Sequence, residues 1–143
     1  MSQRIAGYAA RFDSPSEYMG WIETVDPHAF DGVMRTKPDV LVLFNHDHDK
    51  LLGRTAGGTA RISVDSLGLL YSCDLPDTTV GRDVHELVKR GDIVGSSFGF
   101  IASEDLWEVI ANGALTRRIL KVSSLIDCSP VVTPAYSATS VTI

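Results

Sequence analysis

The chain has 143 residues, of which 44% are hydrophobic, and a formal net charge of -5 at pH 7. This length predicts one domain over residues 1–143 with a buried core. The basic residues are scattered as singles apart from Arg117-Arg118, which argues against binding to nucleic acid or to an anionic membrane. The sequence shows neither a membrane span nor the apolar core of a signal peptide, so we expect a cytoplasmic protein.

Short segments rich in β-branched and aromatic residues, separated by turn signals, predict a mainly β fold of about eight strands. In chain order the predicted strands are 4–12, 40–45, 58–64, 68–75, 94–102, 106–110, 115–122 and 125–133. Hairpin turns are predicted at 65–68 and at 111–114, where the Asn-Gly dipeptide tolerates positive φ at both central positions. A barrel or a sandwich is the expected architecture.

Helical spacing of apolar residues predicts one clear helix over 79–90, with Thr78 or Thr79 as its N-cap and Gly91 just past its end. A shorter helical turn is predicted at 27–34, where Asp26 can cap the first turn. Both segments interrupt the strands, and the apolar stripe of the longer helix is expected to pack on the core.

The polar clusters outside these elements do not predict a metal site. In His46-Asp47-His48-Asp49, alternation at a strand end would place the two histidines on one face and the aspartates on the other, and a hydrolytic zinc usually needs a third protein ligand. Cys73 and Cys128 lie in apolar stretches, which favours buried, reduced thiols over a disulfide. We therefore expect no metal ion and no other cofactor.

Three segments that each end a predicted strand supply the residue types of nucleophilic catalysis, namely His46, Ser97 and Asp127. A serine hydroxyl becomes a good nucleophile when an imidazole accepts its proton, and a carboxylate can fix the tautomer of that imidazole. Ser97 also has glycines on both sides, although a glycine-marked barrel strand would show the same pattern. Only one of Ser96 and Ser97 can face His46 if the segment is a strand, and the alternation does not say which.

Four motifs in the same order along nearly the whole chain resemble the prohead, or capsid maturation, protease family of tailed phages. They are Glu23-Thr24-Val25-Asp26-Pro27-His28-Ala29-Phe30, Asn45-His46-Asp47 with Leu52-Gly53-Arg54, Gly95-Ser96-Ser97-Phe98-Gly99-Phe100, and Asp127-Cys128-Ser129-Pro130-Val131-Val132-Thr133-Pro134-Ala135-Tyr136. The resemblance implies a fold related to herpesvirus assemblin, which is a closed β-barrel of about six to eight strands with a few surrounding helices. It also implies a serine endopeptidase with a Ser-His-acid triad.

The resemblance assigns roles to individual positions. The family histidine matches His46, the serine directly before Phe-Gly-Phe selects Ser97 over Ser96, and the acid two residues before a serine matches Asp127. Many relatives carry glutamate there, so Asp127 shortens the reach to His46 by one methylene. Arg117 and Arg118 resemble an arginine pair that lines the oxyanion hole of assemblin-like proteases, although two solvated arginines on a strand would give the same pattern.

The implied function is removal of the scaffolding segment of the major capsid protein, and self-processing, inside the assembling prohead in the host cytoplasm. A weak homodimer is expected because assemblin-type proteases use dimerisation to order the active site. The alternative is a catalytically silent assembly module with the same fold, while an unrelated esterase would show a Gly-x-Ser-x-Gly elbow that this chain lacks. Relatives continue into a charged tail beyond Pro134-Ala135-Tyr136, and we expect that tail to be absent or removed here.

Overall fold

Residues 3–143, which the computed structural model describes, form mainly β-strands with few helices. The elements in chain order are β1 (Gln3–Arg11), β2 (Ile22–Val25), α1 (Asp31–Arg35), β3 (Leu41–Leu43), a 3₁₀ turn (Phe44–His46), β4 (Leu51–Arg54), β5 (Ala60–Val64), β6 (Gly68–Leu75), α2 (Thr79–Arg90), β7 (Gly95–Val109) and β8 (Leu115–Val131). None of the helices in this part of the chain is long and apolar enough to cross a membrane.

The first sheet has the strand order β1-β6-β5, and both of its pairings are antiparallel. Alternate residues of β6 are buried, which places Leu69, Tyr71, Cys73 and Leu75 on the core face of the sheet. The register of β1 against β6 shifts at a β-bulge between Tyr8, which pairs with Leu70, and Ala10, which pairs with Leu69. Both cysteines of the chain are free and buried, which confirms the prediction of reduced thiols, and burial raises the pKa of Cys73 to about 12.

The second sheet is organised around β8, its longest strand. β7 pairs with β8 in antiparallel fashion from Gly95 opposite Val131 to Val109 opposite Leu115. On the other edge of β8, β2 pairs in parallel over Thr116–Ile119, and β3 pairs in parallel where Leu41 lies opposite Asp127. β3 therefore begins opposite Asp127 and ends beside Ser129, whose hydroxyl accepts a hydrogen bond from the Leu43 backbone.

The expected closed barrel is wrong, because the sheets are open. The segment 139–142 lies beside β1. Its backbone hydrogen-bonds to Ala6 and Tyr8 of β1 and to Val94, directly before β7. Gly7 permits this approach, since a Cβ there would be 1.9 Å from the carbonyl oxygen of Ser140. An irregular segment thus links β1 of the first sheet to the start of β7 in the second.

The predicted strands were right in type and often wrong in extent. The predicted pairs 94–102 and 106–110, and 115–122 and 125–133, are the single strands β7 and β8. Register shifts along their ladder interrupt the alternation of side chains, so each long strand resembles two short ones in the sequence. The sequence analysis missed β2 and β4, because a strand of four residues has too few positions to establish a period.

The predicted helix over 79–90 is confirmed as α2, with the Thr78 side chain accepting a hydrogen bond from the Gly81 backbone and Gly91 ending it at φ 87°. The shorter helix begins later than predicted, at Asp31. Both hairpin turns are present, but at the 111–114 turn Gly113 alone has a positive φ, of 82°. That turn is a longer loop with one left-handed residue rather than the two-residue type.

Candidate active site

A strained turn after β3 carries His46. Asn45 and His46 both have left-handed backbone angles, with φ of 59° and 60°. Such a conformation costs on the order of 1 kcal/mol or more for a non-glycine residue, and asparagine is among the residues that adopt it most readily. The side-chain oxygen of Asn45 accepts a hydrogen bond from the Val132 backbone at 3.1 Å. Asn45 thereby ties the histidine turn to the end of β8.

His46 and Asp127 are in direct contact. Nδ1 of His46 lies 2.5 Å from Oδ2 of Asp127, whose side chain is 4% exposed, whereas the His46 side chain is 39% exposed. A carboxylate only accepts hydrogen bonds, so Nδ1 carries the proton in this contact and Nε2 keeps its lone pair for another partner. The predicted acid and base are therefore brought together, with the acid buried and the base open to solvent.

The carboxylate of Asp127 lies directly over a glycine of the neighbouring strand. Gly99 is the cross-strand partner of Asp127, and a Cβ on Gly99 would be 2.1 Å from Oδ1 of Asp127. The Ser129 hydroxyl donates a hydrogen bond to Oδ2 of the same carboxylate. Gly99 thus leaves the space that the carboxylate occupies, and Ser129 holds one of its oxygens.

Ser97 lies on the same face of the sheet as this carboxylate. Its cross-strand partner is Ser129, and directly opposed residues of an antiparallel pair project to one side. Ser97 and Asp127 are diagonal neighbours on this face, which places the two residues about 7–8 Å apart. The structure shows the His46–Asp127 hydrogen bond but no hydrogen bond from the Ser97 hydroxyl among residues 3–143.

Ser96 projects to the opposite face, into the interior. It is fully buried, and its hydroxyl lies 2.7 Å from the Tyr71 hydroxyl and donates to the Ser140 carbonyl at 2.8 Å. Burial raises the pKa of Tyr71, so that its hydroxyl stays protonated across the physiological range. Ser96 therefore joins β6, β7 and residues 134–142, which we call the C-terminal segment, and it does not face His46.

The C-terminal segment braces the strand that carries Ser97. The Thr139 hydroxyl accepts a hydrogen bond from the Ser96 backbone N–H at 3.0 Å and lies 2.7 Å from the Ser96 carbonyl oxygen. Pro134 lies against Gly95, where a Cβ would be 2.6 Å from the proline ring. The rings of Phe98 and Tyr136 pack with centroids 6.1 Å apart. The Pro134-Ala135-Tyr136 motif is thus explained by packing around the start of β7.

The two arginines predicted as oxyanion-hole candidates lie elsewhere. Arg117 and Arg118 stand opposite Trp107 and Leu106, which follow Ser97 on β7 by ten and nine residues, toward the other end of the β7–β8 ladder. Arg117 binds Glu23 at 3.0 Å and Asp105 at 2.8 Å, and Arg118 binds Asp13 at 2.8 Å and Asp26 at 3.0 Å. Both guanidinium groups are occupied by structural ion pairs, and the structure does not bring them to Ser97.

The whole chain was compared with models of known protein families. A sequence model described as caudovirus prohead serine protease matches residues 1–143, the whole chain. The chain belongs to this family. Family membership makes it a bacteriophage protein of the prohead serine protease type, with a role in capsid maturation. A comparison with curated proteins gives no match.

The sequence analysis gave no role in the site to three residues of this prohead protease. Gly99, Ser129 and Thr139 each contact the segment that carries an expected catalytic residue. The spacing Asp-x-Ser at 127–129 was a usable signal for Ser129, because alternate strand residues share a face. Gly99 was noted only as a glycine beside Ser97, and no local signal marked Thr139, because the roles of both depend on which strand and which segment lie beside them.

Proposed function

We propose that this protein is the endopeptidase that removes the scaffolding segment of the major capsid protein, and cuts itself, inside the assembling prohead. Ser97 is the nucleophile, His46 the general base and Asp127 the residue that orients His46. The observation that carries this proposal is the buried Asp127 carboxylate in contact with Nδ1 of His46, on the sheet face that Ser97 shares.

The first step is attack by Ser97. Because Nδ1 of His46 is held by Asp127, Nε2 is the nitrogen available to accept the Ser97 proton. The Ser97 oxygen then forms a bond to the carbonyl carbon of the scissile peptide, and the negative charge of Asp127 stabilises the imidazolium that results. Its burial keeps water from weakening that interaction.

The second step restores the enzyme. The imidazolium of His46 gives its proton to the leaving amine as the peptide C–N bond breaks, which leaves an acyl group on Ser97. A water molecule, deprotonated by His46, attacks this ester, and the proton returns to the Ser97 oxygen as the new carboxyl product leaves. The exposure of His46 suits this step because water must reach it. With Arg117 and Arg118 occupied elsewhere, we expect backbone amides near Ser97 to stabilise the oxyanion.

The test is co-expression of this protein with its cognate capsid protein, with the products measured by intact mass. The unsubstituted protein should shorten the capsid protein, Ser97→Ala should not, and Ser96→Ala is the matched control because it removes the same atom from the adjacent serine. Ser96→Ala should still trim, although the loss of buried hydrogen bonds lowers its stability by about 1–3 kcal/mol. Trimming by Ser97→Ala would overturn the assignment of the nucleophile. If the unsubstituted protein assembles with the capsid protein and never trims it, the protein is a silent assembly module.

A further inference from the structure

Ser129 links the two halves of the proposed acid–base pair. Its side chain is fully buried and makes two hydrogen bonds, accepting from the Leu43 backbone N–H at 3.3 Å and donating to Oδ2 of Asp127. Leu43 is the last residue of β3, and the turn after it carries His46. The contacts therefore form a closed ring that runs from Leu43 through Ser129 and Asp127 to His46 and back along the chain.

The chemistry of the hydroxyl fixes the direction of this ring. The Ser129 oxygen accepts a hydrogen bond from the Leu43 N–H, so the hydroxyl proton is free to point at the carboxylate. An ionised carboxylate only accepts hydrogen bonds. Oδ2 of Asp127 then accepts one hydrogen bond from the Ser129 hydroxyl and one from Nδ1 of His46. The other oxygen, Oδ1, occupies the space that the missing side chain of Gly99 leaves.

We propose that Ser129 is a positioning residue of the protease: its hydroxyl selects the Asp127 oxygen that meets His46 and so fixes the imidazole for Ser97. This inference rests on the proposed function and adds a residue to it. Ser129 belongs to β8, so its bond to the Leu43 N–H alone would join β8 to β3. Its own proton is not needed for that link, and it goes to the carboxylate that contacts His46.

The test compares Ser129→Ala with Ser129→Thr. Alanine removes the hydroxyl, whereas threonine keeps it and adds a methyl group to a fully buried site, which lowers stability. If Ser129 acts only through stability, threonine should be at least as harmful as alanine. If it positions the carboxylate, threonine should keep most of kcat and alanine should not. Ser123→Ala is the matched control, because this exposed serine of β8 bonds only the Ile101 carbonyl.

With a peptide spanning the capsid cleavage site, we expect Ser129→Ala to lower kcat about 10- to 100-fold with little change in KM, since a misplaced general base slows chemistry without altering substrate contacts. In the proton NMR spectrum, the Nδ1 proton of His46 should give a protected downfield resonance in the unsubstituted protein and in Ser129→Thr. That resonance should be lost or exchange-broadened in Ser129→Ala.

The outcomes separate this inference from the proposed function. Unchanged kcat in Ser129→Ala, with the His46 resonance intact, would overturn the role of Ser129 and leave the protease assignment in place. A protein that cleaves nothing would defeat the protease assignment, while the NMR comparison, which needs no substrate, would still show whether Ser129 holds the carboxylate against His46. Equal loss of the resonance in the alanine and threonine variants would reduce Ser129 to a packing residue.

Discussion

The two ends of the β7–β8 hairpin are held in different ways. At the Ser97 end, small side chains and hydroxyl groups are fixed by buried hydrogen bonds and by close contact with the C-terminal segment. At the other end, Trp107 is 44% exposed and packs on Trp21 and Arg117. Arg117 is in turn held by an ion pair with Glu23. One strand pair thus combines the end that carries the proposed catalytic residues with an end held by ion pairs and aromatic packing.

The largest expected difference is between catalysis lost at one end and stability lost at the other. Ser97→Ala removes the nucleophile, and we expect kcat/KM to fall by about three orders of magnitude or more with the melting temperature nearly unchanged. The measurement is peptide cleavage beside thermal unfolding on one preparation. A Ser97→Ala protein that unfolds much earlier than the unsubstituted one would show that this residue also supports the fold.

Gly99→Ala should have the next largest effect. Its Cβ would be 2.1 Å from Oδ1 of Asp127, so the carboxylate must move, and we expect a loss of about 100-fold in kcat. Gly32→Ala is the matched control, because a Cβ at Gly32 meets nothing within 4 Å and alanine suits the helix that contains it. Full activity of Gly99→Ala would contradict the placement of the carboxylate over this glycine.

At the other end of the hairpin, Arg117→Met should affect stability and spare catalysis. Arg117 binds the buried carboxylate of Glu23, which also accepts a hydrogen bond from the Tyr136 hydroxyl. Removing the guanidinium leaves Glu23 with fewer donors, and we expect a loss of about 1–3 kcal/mol in the free energy of unfolding. Denaturant titration measures this loss, and kcat of the folded protein should stay within a few-fold. A kcat loss comparable with that of Gly99→Ala would mean that the two ends are coupled.

The smallest expected effect is a pH dependence of stability. The backbone N–H of His28, together with Arg118, lowers the pKa of Asp26 below its usual value. A carboxyl group whose pKa is lowered by folding adds stability above its unfolded pKa of about 4, and this stability is lost as the pH falls through the folded pKa. Melting temperature should therefore decline below about pH 4, and less so in Asp26→Asn. An equal decline in both proteins would assign the effect to other carboxyl groups.

The sequence was sufficient where neighbouring residues in the chain decide the structure. The cap at Thr78 and the glycine at 91 defined α2, and alternation explained the core face of β6. The residue types made His46 and Asp127 candidates, the family resemblance selected them, and the structure shows them in contact. In each case the deciding interactions lie within one element or follow from residue chemistry.

Features set by distant parts of the chain could not be predicted. The sheets are open, and segment 139–142 bonds to β1 and to Val94, both far from it in the chain, so no local pattern predicts this arrangement. The oxyanion role expected for Arg117 and Arg118 depended on the register of β8, which instead places them beside acidic residues far from Ser97. Alternation alone left the choice between Ser96 and Ser97 open, because a one-residue change of register would reverse the face that each presents, and it was the family resemblance that selected Ser97.

The most direct measurement uses a fluorophosphonate probe, which an activated serine attacks with loss of fluoride. The protein would be incubated with the probe, and its intact mass would show whether an adduct has formed. Peptide mass spectrometry would then locate the labelled residue. His46→Ala and Ser96→Ala would be treated in parallel. We expect a single adduct on Ser97 in the unsubstituted protein and in Ser96→Ala, and none in His46→Ala. An adduct on Ser96, or labelling of Ser97 that persists without His46, would contradict the assignment of Ser97, His46 and Asp127 as the catalytic residues.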